Sequence, residues 1–393
     1  MDRRRVVVVI VAGFGALALC ALAWRAVGWR RAGAPAGGAS SLEVTIAEIE
    51  SGRQATPLIG EAGEGGAREV TFLAKRAGEQ APRIISDVTG WGEHIDGTFD
   101  FSVGTMARVG QSGWYVLRTK VAPRARVEYL IAYGLTDHRL DPHNPRRSAG
   151  PEAGGLAASE LVMPDYVPPE ELTGPPASPG GVVSAADIAG PCHVSVYRPS
   201  ATWGAGPYPL VVFLDQRSGQ ISRVLDWLSA HRSIDPVVAA FVGPRSADDG
   251  HCSGEASSRF LAGPLLRWLA SHANGTTDRQ RRALLAISFG AKDALDIALA
   301  HPEAYGRLGL LLPGRRLGRA DLDAIATHHG ARMQAAILAG RYDQANLPTA
   351  RAVRQALADA GHAVDYIEVP EGHSAVTWRN HLRAVLVSLF GRR

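Results

Sequence analysis

The chain has 393 residues, of which 46% are hydrophobic and 20% charged, and this length allows two folded domains with separate cores. The formal net charge is +4, but residues 1–31 hold six arginines against one aspartate, so the rest of the chain is close to neutral. No extended basic surface is expected, and a nucleic-acid-binding function is therefore excluded.

Residues 1–31 have the pattern of a membrane segment. Three arginines precede an uncharged apolar stretch from Val6 to Trp24, which as a helix would span about 28 Å, close to the hydrocarbon thickness of a bilayer. We expect an uncleaved inner-membrane anchor that leaves the bulk of the chain in the periplasm, and a cleaved export signal is the alternative. The small, Pro/Gly-rich residues 32–42 would form a linker.

Residues 43–148 have the pattern of an antiparallel, immunoglobulin-like β-sandwich. Short runs such as EVTFLAKR (69–76), GWYVLRTKV (113–121) and ARVEYLIAYG (125–134) are separated by Gly, Asp and Pro, which is typical of strands joined by turns. The segment 149–185 is rich in Pro and Gly and is predicted to connect two domains.

Residues 186–393 indicate an α/β domain. Short apolar runs such as PLVVFLD, PVVAAFVG, RALLAIS and QAAILAG alternate with stretches of helical period. This alternation predicts a largely parallel sheet with helices on both faces. Because ligands bind at the carboxyl ends of such strands, functional residues should follow directly after the apolar runs.

Three of these runs end in residues that can form a catalytic triad. Ser288 follows RALLAI, Asp343 follows QAAILAG-Arg-Tyr, and His373 follows VDYIEVP-Glu-Gly. The order Ser, Asp, His is that of α/β-hydrolases, in which the histidine activates the serine and the carboxylate orients the imidazole. Each residue taken alone could instead pack, cap a helix or lie in a turn, and Asp365 and Glu368 are alternative acids within a strand.

The same pattern predicts two backbone donors for an oxyanion. The N–H of Phe289 lies in the sharp turn after the serine, and the N–H of Gln216 lies in the turn after PLVVFLD. Cys192 and Cys252 could pair in an oxidising compartment or remain separate buried thiols.

The chain resembles the enterochelin-esterase, esterase D-like branch of the α/β-hydrolases over roughly residues 65–390. The resemblance rests on LAISFGAKDALDIALAHPEAYGRLGLLLPG, LAGRYDQAN and EGHSAVTWRNHL, and on DPHNPRR in the first domain. It implies hydrolysis of an ester of a ferric catechol siderophore through an acyl-enzyme on Ser288, with loops of the sandwich domain above the active site. It also implies that Trp378 and Arg379 contact the substrate. The chain differs from the family in having Ala286 before the serine and Gln216 after Asp215.

The leading hypothesis is a serine esterase of the cell envelope that needs no metal or organic cofactor. Its partners would be a small-molecule or glycan-linked ester and, through the N-terminal segment, the membrane. A feruloyl or acetyl polysaccharide esterase and an acyltransferase are alternatives that use the same triad. A binding protein that has lost catalysis is the alternative from a different class.

Overall fold

The computed structural model describes residues 39–94, 96–148, 157–245 and 252–392. The predicted anchor in residues 1–31 and most of the predicted linker lie outside this part of the chain. Within the described residues, every helix is too short or too polar to cross a bilayer.

The first described element is a helix, α1 (Ala39–Glu50), which occupies the end of the predicted linker and the start of the predicted sandwich. Ile46 and Ile49 of α1 are buried against Leu73 and Trp114 of the first domain. The prediction of a linker is therefore wrong for residues 39–42, because this helix packs on the sandwich.

The first domain is a sandwich of two mainly antiparallel sheets. One sheet has the order β1-β2-β5-β4; in the other, β6 pairs with β3, β7 and β8. Its core includes Phe72 and Tyr129, whose rings meet edge to face at 4.9 Å. The strands are β1 (Leu58–Ala62), β2 (Arg68–Lys75), β3 (Arg83–Ser86), β4 (Ala107–Arg108), β5 (Trp114–Val121), β6 (Arg126–Ala132), β7 (His138–Arg139) and β8 (Ser159–Val162).

Strand β8 lies within the segment that the sequence pattern assigned to the connection. It pairs antiparallel with β6, with Glu128 opposite Glu160 and Arg126 opposite Val162. The sandwich therefore extends to Val162, and the predicted boundary at residue 148 is too early. Because Pro- and Gly-rich segments flank this four-residue strand, composition alone predicts a connecting segment there.

The second domain is built on an eight-stranded sheet with the order β16-β15-β14-β13-β11-β12-β10-β9. Strands β11 to β16 are parallel, whereas β10 and β9 continue the sheet in antiparallel register. This confirms the predicted, largely parallel sheet. The strands are β9 (Val182–Ala185), β10 (Cys192–Arg198), β11 (Leu210–Phe213), β12 (Val238–Pro244), β13 (Arg282–Ile287), β14 (Arg307–Leu311), β15 (Gln334–Gly340) and β16 (Ala363–Val369).

Helices cover both faces of this sheet because successive strand residues point to opposite sides. Leu210 and Val212 of β11 face one buried cluster, and Val211 and Phe213 face the other. The first cluster is completed by α4 to α8 and the second by α3 and α9. The helices are α2 (Glu170–Thr173), α3 (Ser218–Ala230), α4 (Glu255–Ala262), α5 (Pro264–His272), α6 (Gly290–Ala300), α7 (Arg319–Ala326), α8 (Leu347–Asp359) and α9 (Ala375–Phe390).

Candidate active site

Ser288 occupies the sharp turn between β13 and α6. Its φ is 53°, in the left-handed region that non-glycine residues rarely adopt, and its N–H donates to the carbonyl of Leu311 at 2.8 Å. A Cβ on Gly290 would lie 3.4 Å from that of Ala286, so small residues on either side let the strand and the helix approach closely. The strained turn lifts the hydroxyl above the end of the sheet.

The structure brings Ser288, His373 and Asp343 together at the carboxyl edge of the sheet. Ser288 Oγ lies 2.7 Å from His373 Nε2, and His373 Nδ1 lies 2.7 Å from Asp343 Oδ2. The Asp343 carboxylate can only accept, so the hydrogen of the neutral imidazole belongs on Nδ1. Nε2 then keeps a lone pair that accepts the serine hydroxyl, as general-base activation requires.

Asn346 is a further member of this hydrogen-bonded group that the sequence analysis did not identify. Its Nδ2 donates to Asp343 Oδ1 at 2.8 Å and lies 3.4 Å from His373 Nδ1. The amide therefore satisfies the carboxylate oxygen that does not face the imidazole. Asn346 lies directly before α8, a position typical of a helix cap, although its side chain makes no capping hydrogen bond there.

Gln216 and Phe289 lie next to Ser288 around a cavity of about 330 Å³. Phe289 is the residue before α6, so its N–H is at the positive end of the helix dipole. Gln216 follows β11, with its side-chain amide donating to the carbonyl of Pro244 at 3.2 Å. Among the described residues, none accepts a hydrogen bond from either backbone N–H, so both donors are available to a bound oxygen.

A larger cavity of about 570 Å³ opens on the other side of Ser288 and His373. Its opposite wall comes from the sandwich domain and includes Trp91, Glu128 and Leu130. Trp91 has a φ of 55°, an unusual conformation for a bulky residue, and its Nε1–H donates to Asp87 at 3.0 Å. The sandwich thus supplies a strained aromatic residue to the wall of the cavity.

Asp87 is buried at the contact between this sandwich loop and the segment that carries His373. A Cβ on Gly372 would collide with the Asp87 carboxylate, so only glycine fits beside it. Asp87 Oδ2 accepts the Glu128 N–H at 2.7 Å. Burial raises the pKa of Asp87 to about 7, the negative charge of Glu128 adds to this effect, and the two donated hydrogen bonds oppose it.

Other contacts between the domains surround the same cavity. Tyr342, directly before Asp343, accepts the Ala122 N–H through its hydroxyl at 2.9 Å. Gln344, directly after Asp343, donates to the carbonyl of Val88 at 3.2 Å. Arg315 also forms an ion pair with Glu93. The residues directly before and after Asp343 are therefore both hydrogen-bonded to the sandwich domain.

The structure does not bring Trp378 or Arg379 to the cavity beside Ser288. Trp378 is 1% exposed and belongs to the core under α9, with the Arg217 guanidinium 4.7 Å from its ring centre. It packs a helix, and the expectation that it contacts the substrate is wrong. Arg379, on the next position of α9, faces a separate cavity, so it too lies away from Ser288.

The two alternative acids have other partners. Asp365 accepts the hydroxyl of Ser388 at 2.6 Å, and Glu368 binds Arg351 and the Tyr366 hydroxyl. Neither contacts His373, so Asp343 is the acid that meets the imidazole.

Cys192 and Cys252 form a disulfide with a Cα–Cα distance of 5.6 Å. Cys252 lines the smaller cavity beside Gln216. The sequence left open whether these cysteines form a disulfide or remain separate thiols, and in the structure they are paired.

These elements together define an α/β-hydrolase domain of the esterase class. Residues 185–314 are similar to the Esterase family model, which is described as "Putative esterase". No curated protein matches the chain in sequence.

Solved structures extend the likeness to both domains. The enterobactin esterase of Shigella flexneri, solved in the presence of enterobactin, is 18% identical, with a TM-score of 0.63 over 86% of this chain and 96% of the other. The ferric enterobactin esterase of Salmonella typhimurium is 18% identical, with a TM-score of 0.62 over 86% and 96%. At this identity the likeness shows the shared fold, and the predicted α/β fold and family resemblance are confirmed.

Proposed function

We propose that this protein is a serine-dependent carboxylic ester hydrolase that works through an acyl-enzyme on Ser288. The observation that carries the proposal is the continuous contact from Ser288 Oγ through the His373 ring to Asp343, with 2.7 Å at each step. Packing alone does not explain a hydroxyl, an imidazole and a carboxylate aligned in this order at three strand ends.

In the first half-reaction, Ser288 Oγ attacks the ester carbonyl while His373 Nε2 takes the hydroxyl proton. The negative charge on the carbonyl oxygen would be stabilised by the N–H groups of Phe289 and Gln216. His373 then gives its proton to the departing alcohol, and the carbonyl carbon stays bound to Ser288. In the second half-reaction a water molecule repeats the attack and releases the acid.

The first substrates to test are siderophore esters of the enterobactin type, because the solved neighbours carry that name and share both domains. The cavity beside Ser288, between the domains, has a volume of about 570 Å³. It can hold an acyl group of a siderophore ester or a smaller aromatic acyl group. Feruloyl and short acyl esters are the alternatives. An acyltransferase would give a new ester when an alcohol is added, instead of the free acid.

Covalent labelling tests the nucleophile directly. The detergent-extracted protein should react with a fluorophosphonate at Ser288 and hydrolyse p-nitrophenyl butyrate. Ser288→Ala should lose both properties, whereas Ser271→Ala, an exposed serine at the end of α5, should keep them. A folded protein that neither labels nor turns over any ester would instead support a binding protein that has lost catalysis.

The proposed place of action is the periplasmic side of the inner membrane, with Val6 to Trp24 as the anchor. Support comes from the apolar length of that stretch and from the Cys192–Cys252 disulfide, since disulfides persist in oxidising compartments. The full chain should sediment with membranes and resist alkaline extraction, and protease added to spheroplasts should digest it. Recovery in the soluble fraction would favour the cleaved signal, and protection from protease would contradict a periplasmic location.

A further inference from the structure

We propose that a second cavity between the two domains binds a phosphate-type oxyanion. This cavity, about 550 Å³ in volume, lies between β6 and β8 of the sandwich and the helices α2, α3 and α9 of the second domain. Its lining includes neither Ser288 nor His373. The inference therefore does not depend on ester hydrolysis.

Three arginines without an acidic partner face this cavity from three different segments: Arg146, Arg223 and Arg379. Arg223 donates to the backbone carbonyls of Glu171 and Gly174, and Arg379 donates to the side-chain oxygen of Asn380. Among the described residues, none of the three forms an ion pair with a carboxylate. Their positive charges are therefore available to a ligand.

The acidic groups nearby are already engaged. Arg126 is 2% exposed and pairs with both Glu128 and Glu160. This buried group lies between the two interdomain cavities, because Arg126 and Glu160 line the second cavity and Glu128 lines the cavity beside Ser288. The charge of Glu371 also acts on Arg126 and Tyr166, so this group and Glu371 together leave at most two negative charges against three arginines. Burial lowers the pKa of the Arg379 guanidinium and the positive charge of Arg126 adds to this effect, whereas Tyr166, Glu160 and Glu128 oppose it.

Neutral groups in the same cavity complete the site. The Tyr166 hydroxyl accepts from Asn380 Nδ2 at 2.7 Å, so its own hydrogen remains free to donate to an anion. Burial raises its pKa to about 12, and it stays protonated at neutral pH. The Gln220 side-chain oxygen is buried without a partner and can accept from a hydroxyl of the ligand.

The arrangement favours phosphate over a carboxylate. A planar carboxylate is matched by one arginine in a bidentate contact, whereas arginines from three directions match the several oxygens of a tetrahedral dianion. With the acceptor at Gln220 and room for a small organic molecule, the ligand class is an organic phosphate that carries hydroxyl groups.

Calorimetric titration of the detergent-extracted full chain carrying Ser288→Ala tests this site without any ester hydrolysis. Pyrophosphate and glucose 6-phosphate are the probes, at low ionic strength. We expect one molecule bound per chain, at least tenfold weaker binding after Arg379→Gln, and a smaller loss after Arg379→Lys. Added salt should weaken the binding.

Arg354→Gln is the matched control, since Arg354 is an exposed arginine on α8 that lies over the Tyr366 ring and outside this cavity. It should bind both probes like the parent protein. Arg146→Gln tests the same cavity through an exposed side chain whose loss does not endanger folding, and it should weaken binding severalfold. The proposal is overturned if neither probe binds, or if Arg379→Gln and Arg146→Gln bind as tightly as Arg354→Gln.

Discussion

The carboxyl edge of the parallel sheet and the interface between the domains form opposite walls of one cavity, but they are built differently. At the edge, Ser288, Asp343 and His373 follow β13, β15 and β16, which run parallel in a single sheet. At the interface, the pairs Glu93–Arg315 and Val88–Gln344 join residues 222 and 256 positions apart. The reactive groups are therefore set by local folding, whereas the cavity needs correct docking of two domains.

The largest expected effect comes from replacing Asp343, the acidic residue at the carboxyl edge of the sheet. Asp343→Asn keeps the size of the side chain but places an amide opposite His373 Nδ1, which favours the tautomer that cannot accept the serine proton. We expect kcat for p-nitrophenyl butyrate to fall by about 10³- to 10⁴-fold with little change in KM.

Asp365→Asn is the matched control, because Asp365 is an acid of the adjacent strand that binds Ser388 and not His373. It should keep nearly full activity. Equal losses in the two variants would show that Asp343 has no special role.

The difference between the sheet edge, which local folding sets, and the interface, which needs domain docking, explains what could be predicted from the sequence. The parallel sheet and the residues at its strand ends were predictable because apolar period and chain order are local properties. Strand β8 was not, since its four residues gain stability only by pairing with β6. Trp378 was misassigned because a family likeness does not show that its ring points into the core. Trp91 has no local signal that places it opposite His373.

The interface can be tested through the pH dependence of stability. Since the pKa of Asp87 is raised to about 7 in the folded state, the folded protein holds a proton that the unfolded chain releases near pH 4. The unfolding free energy should therefore fall as the pH rises from about 4 to 7, by at most about 1.4 kcal/mol per pH unit from this group. Asp87→Asn should lack this contribution.

Urea unfolding of both proteins at several pH values measures the difference. Loss of one accepted hydrogen bond shifts the stability of Asp87→Asn by a constant amount, so only the slope reports the ionisation. Parallel curves for the two proteins across this range would contradict a raised pKa at Asp87.

A smaller effect is expected from the aromatic wall of the cavity. Trp91→Ala removes a ring that lines the cavity beside Ser288, and apolar contact with a bulky acyl group is lost. We expect the ratio of kcat/KM for p-nitrophenyl hexanoate over acetate to fall about tenfold. Trp91→Phe keeps a ring but loses the donor to Asp87, and in this variant the same ratio should fall less. An unchanged ratio in Trp91→Ala would mean that the acyl group occupies the other cavity.

The smallest effect is expected at the exposed ion pair between Arg315 and Glu93, whose side chains are 43% and 23% exposed. Water screens such pairs, so Arg315→Gln should lower the unfolding free energy by less than about 1 kcal/mol and should change esterase activity less than twofold. Arg319→Gln, which breaks an exposed pair with Asp323 on α7, is the matched control. A loss far above that of the control would mean that the domains dock through this ion pair. A loss like that of the control would assign docking to the contacts of Asp87, which packs against Gly372, and of Tyr342, which directly precedes Asp343.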